Sequence, residues 1–590
     1  MLLAFVAAAG GGSAHAQNPS QQLEALTTEF WEASLKANPV SATSMGDRRY
    51  DAFLSDNSPA GVQRERARTE AFLVRARAIS AESLSPEERL TRQVLVTELE
   101  STLAQYECEL WTWVVDPLWG PHVSLFSIES RQPVRSVQEA KDLVLRWRAM
   151  GPYLDTEIEN LKIGLAQDKV SVRSQVEKAV ANLEETLAKS DDEWTLLKPI
   201  RVEHADWSPE ERKDFETGVR TAVAEIVRPA LQRYHDFLMA EILPKARSNE
   251  QPGLVHVPGG LDCYQKAIQV HTSLGLSPDE VHEIGLREVE KINRETQELG
   301  KKVFGLESRE SVLQKLRTDK ELYFKTRDEV QQKAETALAR AGAAMGDWFG
   351  ILPKADCVVT RMEPYEEKHS TIAYYRDAAM DGSRPGQYYI NTYAPETRPR
   401  YEAEALAYHE AIPGHHLQIA IAQELTGIPE FRKHTGVTAF VEGWGLYSER
   451  LSNEMGLYSS DLDRIGMLSY DSWRACRLVV DSGMHAKGWT RQRAIDFMVA
   501  NSALAENNIV NEVDRYITWP GQALAYKIGQ LEIFSLREAA RQELGDQFDI
   551  KEFHDAVLEN GAIALEPLRQ QVRAYVEAKK VAAGAGGKTP

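Results

Sequence analysis

The chain has 590 residues, 43% of them hydrophobic and 27% charged, which is typical of a soluble globular protein with several cores or one large two-lobed enzyme. Its formal net charge is −19 and Lys and Arg form no block, so nucleic acid is excluded as a partner because a polyanion would be repelled. The four cysteines are far apart and form no Cys-x-x-Cys pair, so we expect neither a thiolate zinc site nor a disulfide framework.

The N-terminus has the pattern of a secretory signal. Residues 1–9 form a short apolar run, and Ala14-His15-Ala16 supplies an Ala-x-Ala cleavage site after Ala16, although no basic residues precede the run. The run is too short to span a bilayer, no other segment is long and apolar enough, and no cysteine follows the cleavage site for lipid attachment. We therefore expect residues 1–16 to be a signal peptide and the mature protein to be soluble, and periplasmic or secreted.

Helical periodicity dominates the rest of the chain. Residues 17–250 are expected to form an N-terminal helical lobe, with apolar residues at helical spacing most clearly over 209–245. A Pro- and Gly-rich stretch at 251–260 separates it from a second, catalytic lobe that extends to residue 580, before a Gly/Ala-rich disordered tail at 581–590. A helix beginning after Ser277 carries His282-Glu283 without a second histidine four residues on, which indicates a surface pair.

Strand-like segments occur together just before the most informative motif. Cys357–Thr360, Thr371–Tyr375 and Gln387–Asn391 are short, β-branched or aromatic, and bounded by Pro, Gly or Asp. We expect a small sheet with Thr371–Tyr375 or Gln387–Asn391 at its edge, where a peptide backbone could pair with it. Tyr374 and Tyr389 are the candidate substrate contacts in these strands.

The motif itself is Tyr-His-Glu-Ala-Ile-Pro-Gly-His-His-Leu-Gln at 408–418, within a helix expected over 400–426. A zinc hydrolase usually has His-Glu-x-x-His, whose two imidazoles share one helix face. Here His415 and His416 follow His409 by six and seven residues, which an undistorted helix cannot bring to one metal. If Pro413-Gly414 bulges out, His415 returns to the face of His409, so we favour His415 as the ligand and keep His416 as the alternative.

A different interpretation of the motif is a helix–turn–helix that carries ordinary surface histidines. The following helix, expected over 438–455, favours the metal site, because Glu442 and Glu449 lie seven residues apart on one face. We predict Glu442 as the third ligand and Glu449 as the partner of a ligating imidazole. The mid-helix glycines Gly443 and Gly445 each cost about 1 kcal/mol relative to Ala, which indicates that another element packs very close.

Three protein ligands leave one zinc position for water, and Glu410 would take the water proton as a carbonyl is attacked. The oxyanion that forms needs a further donor, and the candidates in order of preference are Tyr526, His485 and Tyr516. Lys527 or Arg515 could hold a substrate carboxylate.

The chain resembles a known family at these residues. His-Glu-Ala-Ile-Pro-Gly-His-His-Leu-Gln at 409–418, Glu-Gly-Trp-Gly-Leu-Tyr-Ser-Glu at 442–449 and Pro-Gly-Gln-Ala-Leu-Ala-Tyr-Lys-Ile-Gly at 520–529 are similar to the bacterial domain-of-unknown-function family 885. That family looks distantly similar to gluzincin zinc peptidases, the group of angiotensin-converting enzyme and helical carboxypeptidases. The resemblance implies a mainly α, two-lobed helical shell around a deep cleft, with a small β-sheet beside the zinc helix. It also implies zinc held by His409, a following histidine and Glu442, with Glu410 as base.

We therefore expect an exported zinc metallopeptidase that hydrolyses short peptides. A zinc amidase or esterase acting on a non-peptide acyl group is the nearest alternative, because water attack on any carbonyl uses the same groups. A non-catalytic periplasmic binding protein is the alternative from another class. Glu410 argues against it, because metal binding alone needs no base beside the first ligand.

Overall fold

The computed structural model describes residues 18–362, 367, 371–379, 382 and 384–586. The predicted signal peptide lies outside these residues. The last helix runs to Gly586, past the expected boundary at residue 580, so only residues 587–590 of the predicted tail fall outside the described part.

The described residues are mainly helical, as expected. Their α-helices are α1 (Pro19–Ala37), α2 (Pro39–Met45), α3 (Pro59–Ala78), α4 (Pro86–Cys108), α5 (Pro121–Ser124), α6 (Val137–Ala166), α7 (Arg173–Ala188), α8 (Pro209–Thr221), α9 (Arg228–Phe237), α10 (Gly260–Thr272), α11 (Pro278–Phe304), α12 (Arg309–Thr318), α13 (Arg327–Trp348), α14 (Ala403–Glu410), α15 (His415–Glu424), α16 (Glu430–His434), α17 (Thr438–Glu454), α18 (Asp461–His485), α19 (Arg491–Asn501), α20 (Glu506–Thr518), α21 (Ala525–Leu544), α22 (Ile550–Leu558) and α23 (Leu565–Gly586). π-helical segments at Ala222–Val227 and Leu238–Ile242 continue α8 and α9.

Helix starts follow the capping signals of the sequence. Ser277 caps α11 as predicted, because its hydroxyl accepts the Glu280 N–H at 3.2 Å and the Glu280 carboxylate accepts the Ser277 N–H at 2.8 Å. The expected surface pair on this helix is only half correct. Glu283 is exposed, but His282 is buried, with Nδ1 2.9 Å from the hydroxyl of Ser482.

The small sheet has three strands, β1 (Cys357–Arg361), β2 (Ala373–Arg376) and β3 (Gly386–Ile390), in the order β1-β3-β2. β1 runs parallel and β2 antiparallel to the central β3. The expectation that Gln387–Asn391 lies at an edge is therefore wrong, whereas β2 is an edge strand. Tyr375 and Tyr388 are paired and share one face, which packs on the motif helices through the His416 and Tyr408 regions.

Tyr374 and Tyr389 lie on the opposite face of the sheet. Their rings stack at 4.8 Å, and directly paired residues of an antiparallel ladder point the same way. The predicted substrate contacts therefore face away from the motif helices. A register shift of one residue would have reversed this assignment.

The hydrophobic cores do not follow a single boundary near residue 250. One core combines α1, α3 and α4 with α10, α15, α17 and the C-terminal helices α21–α23. A second core is built from residues 115–242. The N-terminal helices therefore support the part of the chain that carries the motif.

A disulfide joins Cys108 at the end of α4 to Cys263 in α10, which corrects the expectation of unpaired cysteines. Cys357 is half-buried and Cys476 buried, and both are free. Among the described helices, none combines the length and apolarity needed to cross a bilayer.

Candidate metal centre

The motif helix is broken rather than bulged. α14 ends at Glu410 and α15 begins at His415, and the four residues between them leave helical geometry, with Ala411 at φ −104° and ψ −110°. The turn is held from α17, where Trp444 Nε1 donates to the carbonyl oxygen of Pro413 at 2.8 Å. A Cβ on Gly414 would lie 1.9 Å from the carbonyl oxygen of His409, so only glycine fits. The predicted two-residue bulge is therefore a four-residue break that serves the same purpose.

This break brings three ligand atoms together. His409 Nε2 lies 3.6 Å and His415 Nε2 3.5 Å from the same oxygen, Oε2 of Glu442. One ligand atom from each residue lies within 4.8 Å of the others. Ligands about 2.0–2.1 Å from a tetrahedral zinc stand roughly 3.3 Å apart, so this spacing fits such an ion.

His416 is placed elsewhere. Its Nε2 donates to the carbonyl oxygen of Ala355 at 3.0 Å, and Nδ1 accepts from the hydroxyl of Tyr375 at 2.9 Å. Burial lowers the pKa of His416, in agreement with a neutral ring that uses both nitrogens. Of the two candidates, His415 therefore faces the site, and His416 joins α15 to β2.

Glu449 orients the first imidazole. Its carboxylate accepts from His409 Nδ1 at 2.8 Å and is completely buried, so Nε2 is the nitrogen left for a metal. The glycines of α17 permit this approach. A Cβ on Gly445 would lie 2.7 Å from Cε1 of His409, and one on Gly443 would lie 2.5 Å from Cα of Gly529 in α21. The close packing inferred from these glycines is confirmed.

The charges of the cluster shift the pKa values of His409 and Glu442. Burial alone would lower the pKa of His409, but Glu442 and Glu449 outweigh it and raise the pKa to about 9. Burial would raise the pKa of Glu442, but His409 and His415 hold it well below its usual range. The cluster thus keeps an ionised carboxylate between two imidazoles, a donor set that suits zinc.

Glu410 is placed to act as a base. It follows His409 directly, is half-buried, and forms no hydrogen bond or ion pair with any residue that the structure describes. Its charge is close enough to add to the effect of burial in raising the pKa of Tyr388.

Tyr526 is the predicted donor that lies beside the cluster. Its ring stacks against the His409 ring, with centroids 6.4 Å apart and planes 18° apart. Its hydroxyl has no hydrogen-bond partner among the described residues.

The other predicted donors are structural. His485 is fully buried, accepts the Leu254 N–H at Nδ1, and donates from Nε2 to the carbonyl oxygen of Tyr516 at 2.9 Å. Burial lowers the pKa of His485 to about 4. The Tyr516 hydroxyl donates to Glu512 at 2.7 Å and accepts from Arg477 at 2.9 Å. Neither side chain is free to donate to a substrate.

Lys527 and Arg515, the residues predicted to bind a substrate carboxylate, are bonded to other side chains of the protein. Lys527 is 1% exposed, and its Nζ donates to Asp471 at 2.7 Å and to Gln530 at 2.8 Å. Arg515 pairs with Glu512 at 3.3 Å and also donates to Gln522. Both stabilise buried networks, so the structure does not bring them to the metal cluster.

Arg474 is a neighbour of the site that the sequence reasoning missed. Its Nη2 lies 3.8 Å from Oε1 of Glu449, and its guanidinium lies 5.9 Å from the ring centroid of Tyr526. No local sequence pattern marks it, because Asp471, Ser472 and Arg477 interrupt the apolar residues around it. Its burial is seen only in the structure, where every residue of α18 from Ile465 to His485 is buried and a buried charge requires a partner.

Comparison with known proteins identifies the family. The model of the family described as "Bacterial protein of unknown function (DUF885)" matches residues 39–572, and the chain belongs to this family. No curated protein matches the sequence significantly. A crystal structure described as "the putative lipoprotein from Colwellia psychrerythraea" is 28% identical, with a TM-score of 0.89 over 95% of this chain and 100% of that one.

A second solved structure, "a putative lipoprotein of unknown function from Shewanella oneidensis", is 19% identical and shares the fold. The TM-score is 0.72, over 94% of this chain and 99% of that chain.

Proposed function

We propose that this member of the family is an exported zinc-dependent hydrolase that cleaves peptide bonds in short peptides. The observation that carries the proposal is the convergence of His409, His415 and Glu442, with Glu410 next to His409 in sequence and without a hydrogen-bond partner among the described residues. A binding protein would need the three ligands but would have no use for the adjacent base. The distant similarity of the family to gluzincin peptidases favours the same assignment, although the inserted Pro413-Gly414 departs from the gluzincin pattern.

His409 and His415 would hold the ion through Nε2 and Glu442 through Oε2. Zinc supplies the Lewis acidity that activates a water molecule for attack on a carbonyl at neutral pH. Glu410 accepts the proton of the attacking water and delivers it to the leaving amine. The Tyr526 hydroxyl donates to the carbonyl oxygen as negative charge develops there, in place of the other two predicted donors.

The edge strand β2 is the proposed platform for the substrate backbone. Asn391 donates its N–H to the Ile372 carbonyl oxygen, so hydrogen-bonded and non-hydrogen-bonded pairs alternate along the ladder. In this register the main-chain N–H and C=O of Tyr375 point away from β3, toward the free edge of β2. Tyr375 also contacts His416, the neighbour of the ligand His415. A peptide paired with this edge would be bound through its main chain without sequence readout.

Export is part of the proposal. Both solved relatives carry the description "putative lipoprotein", and bacterial lipoproteins are exported proteins. The Cys108–Cys263 disulfide fits an oxidising compartment. Together with the Ala-x-Ala site in residues 1–16, these observations support a periplasmic or secreted protein.

The proposal is tested by incubating the purified mature protein with a mixed peptide library, with and without a chelator. We expect cleavage that the chelator abolishes and zinc restores. Glu410→Gln should retain zinc and lose turnover by several orders of magnitude. The matched control is Glu283→Gln, the same change at the exposed glutamate of the His-Glu pair on α11, which should leave turnover unchanged.

Two outcomes would reject the peptidase assignment, and a third would reject the role of Glu410. Hydrolysis of simple amides or esters without any peptide cleavage would favour the amidase or esterase alternative. Zinc-dependent peptide binding without turnover would favour a binding protein. Full activity in Glu410→Gln would remove Glu410 as the base.

A further inference from the structure

Arg474 is held between aromatic rings deep in the protein. It lies on α18, is 4% exposed, and its guanidinium stands 4.7 Å from the ring centroid of Tyr470 and 4.2 Å from that of Trp473. The ring of Tyr526 is 5.9 Å away. Because a guanidinium stacks on aromatic faces, these rings restrict where its charge can lie.

This charge is directed at the carboxylate that orients the first ligand. Arg474 Nη2 lies 3.8 Å from Oε1 of Glu449, the oxygen that accepts from His409 Nδ1 at 2.8 Å. Apart from His409 itself, no other cationic side chain among the described residues lies within 4 Å of Glu449. Arg474 is therefore the counter-charge of Glu449 other than the His409 ring that it orients.

The hydrogen bonding of Arg474 and Glu449 shows how the two side chains interact. Among the residues that the structure describes, Nε and Nη1 of Arg474 have no hydrogen-bond partner, and neither does Oε2 of Glu449, although all three atoms are buried. By contrast, the buried guanidinium of Arg477 donates from Nε to Tyr516 and from Nη2 to Glu512, and only its Nη1 has no partner among the described residues. At 3.8 Å, Arg474 and Glu449 thus interact through their charges rather than through a hydrogen bond.

We propose that Arg474 is a positioning residue of the metal centre, acting through Glu449 on His409. The inference rests on the proposed function, because it requires that His409 binds a metal. Arg474 keeps the Glu449 carboxylate aligned with Nδ1 of His409, so that Nε2 is directed at the ion. Loss of this cation leaves the buried carboxylate without its counter-charge, and Glu449 then turns away from the imidazole.

The test measures the zinc dissociation constant of full-length mature apoprotein, by competition with a chromophoric chelator, for wild type, Arg474→Met and Arg474→Lys. We expect a 10- to 100-fold weaker zinc affinity in Arg474→Met, the range for lost outer-shell support of a ligand. Arg474→Lys should lie between the two, because it keeps the charge but not the planar group. The matched control is Arg432→Met, an arginine 3% exposed on α16 that bonds Thr91 and the Asn560 carbonyl and touches no ligand.

A double-mutant cycle with Glu449→Gln separates positioning from general loss of stability. If Arg474 acts through Glu449, Arg474→Met should change zinc affinity less than threefold in the Glu449→Gln background. If Arg474→Met does not fold, the same cycle is run with Arg474→Lys.

Three results would each overturn the inference. They are a zinc affinity of Arg474→Met within twofold of wild type, additive effects of Arg474→Met and Glu449→Gln in the cycle, and an equal loss of affinity in Arg432→Met. Failure of the proposed function would look different from these results. If the proposed function is wrong, wild type itself would bind no zinc, or His409→Ala would bind zinc as tightly as wild type.

Discussion

Replacing Gly445 with alanine tests the geometry of the site most sharply. The new Cβ would lie 2.7 Å from Cε1 and 2.9 Å from Nε2 of His409, whereas an ordinary contact begins near 3.4 Å. The imidazole must therefore move by about 0.7 Å, the difference between these contacts. Zinc ligands tolerate displacements of only about 0.2 Å, so the metal bond cannot survive unchanged. We expect zinc affinity to fall at least about 100-fold, as when support of a ligand is lost.

Gly443→Ala on the same helix is the matched control. Its Cβ would meet the backbone of α21 at 2.5 Å from Cα of Gly529, a neighbour that cannot rotate away. Overpacking costs about 1–3 kcal/mol, against about 1 kcal/mol gained from helix propensity. Gly443→Ala should therefore lose stability in urea denaturation while its folded form retains zinc.

The assay is chelator competition on both apoproteins, together with urea unfolding. Gly445→Ala should lose zinc affinity with little loss of stability, and Gly443→Ala should show the reverse. Wild-type zinc affinity in Gly445→Ala would refute the assignment of His409 Nε2 as a metal ligand.

Further predictions concern the turn, the disulfide and a buried acid. Gly414→Ala should lose zinc and stability, because its Cβ would lie 1.9 Å from the carbonyl oxygen of His409. Gly346→Ala has open space around the new Cβ and should lose neither. Equal zinc affinity in the two variants would contradict the role of the turn. Replacing Cys108 and Cys263 with alanine should lower the free energy of unfolding by up to about 5 kcal/mol, because 155 residues separate them, and an unchanged urea midpoint would contradict this. Burial raises the pKa of Asp481 to about 7, so Asp481 destabilises the fold as pH rises from about 4 to 7. Asp481→Asn should gain about 2–3 kcal/mol relative to wild type between pH 5 and 8 in urea unfolding, and a pH-independent difference would refute the shift.

Features that depend on local spacing could be predicted from the sequence. The proline and glycine of the motif indicate that the helix is interrupted, and an interruption by these two residues already favours His415 over His416. Glu442 and Glu449 are seven residues apart, which is enough to place both on one side of α17. Helix caps such as Ser277 also depend on neighbours only.

Features that depend on distant partners could not be predicted. Tyr516 has a hydroxyl that could act as a catalytic donor, but this hydroxyl is bonded to Arg477 of α18 as well as to Glu512 one turn earlier on α20. Tyr374 and Tyr375 are adjacent in sequence, and only the register with β3 decides which one faces the site. The disulfide joins segments 155 residues apart, a pairing that no local pattern indicates.

The most direct test of the account is the zinc content of the purified protein after dialysis against zinc, measured for wild type, His415→Ala and His416→Ala. We predict one zinc per chain in wild type and in a folded His416→Ala variant, because His416 bonds Tyr375 and Ala355 rather than the cluster. His415→Ala should lose most of the metal. A wild-type protein without stoichiometric zinc, or an equal loss from both variants, would contradict the metal centre described above.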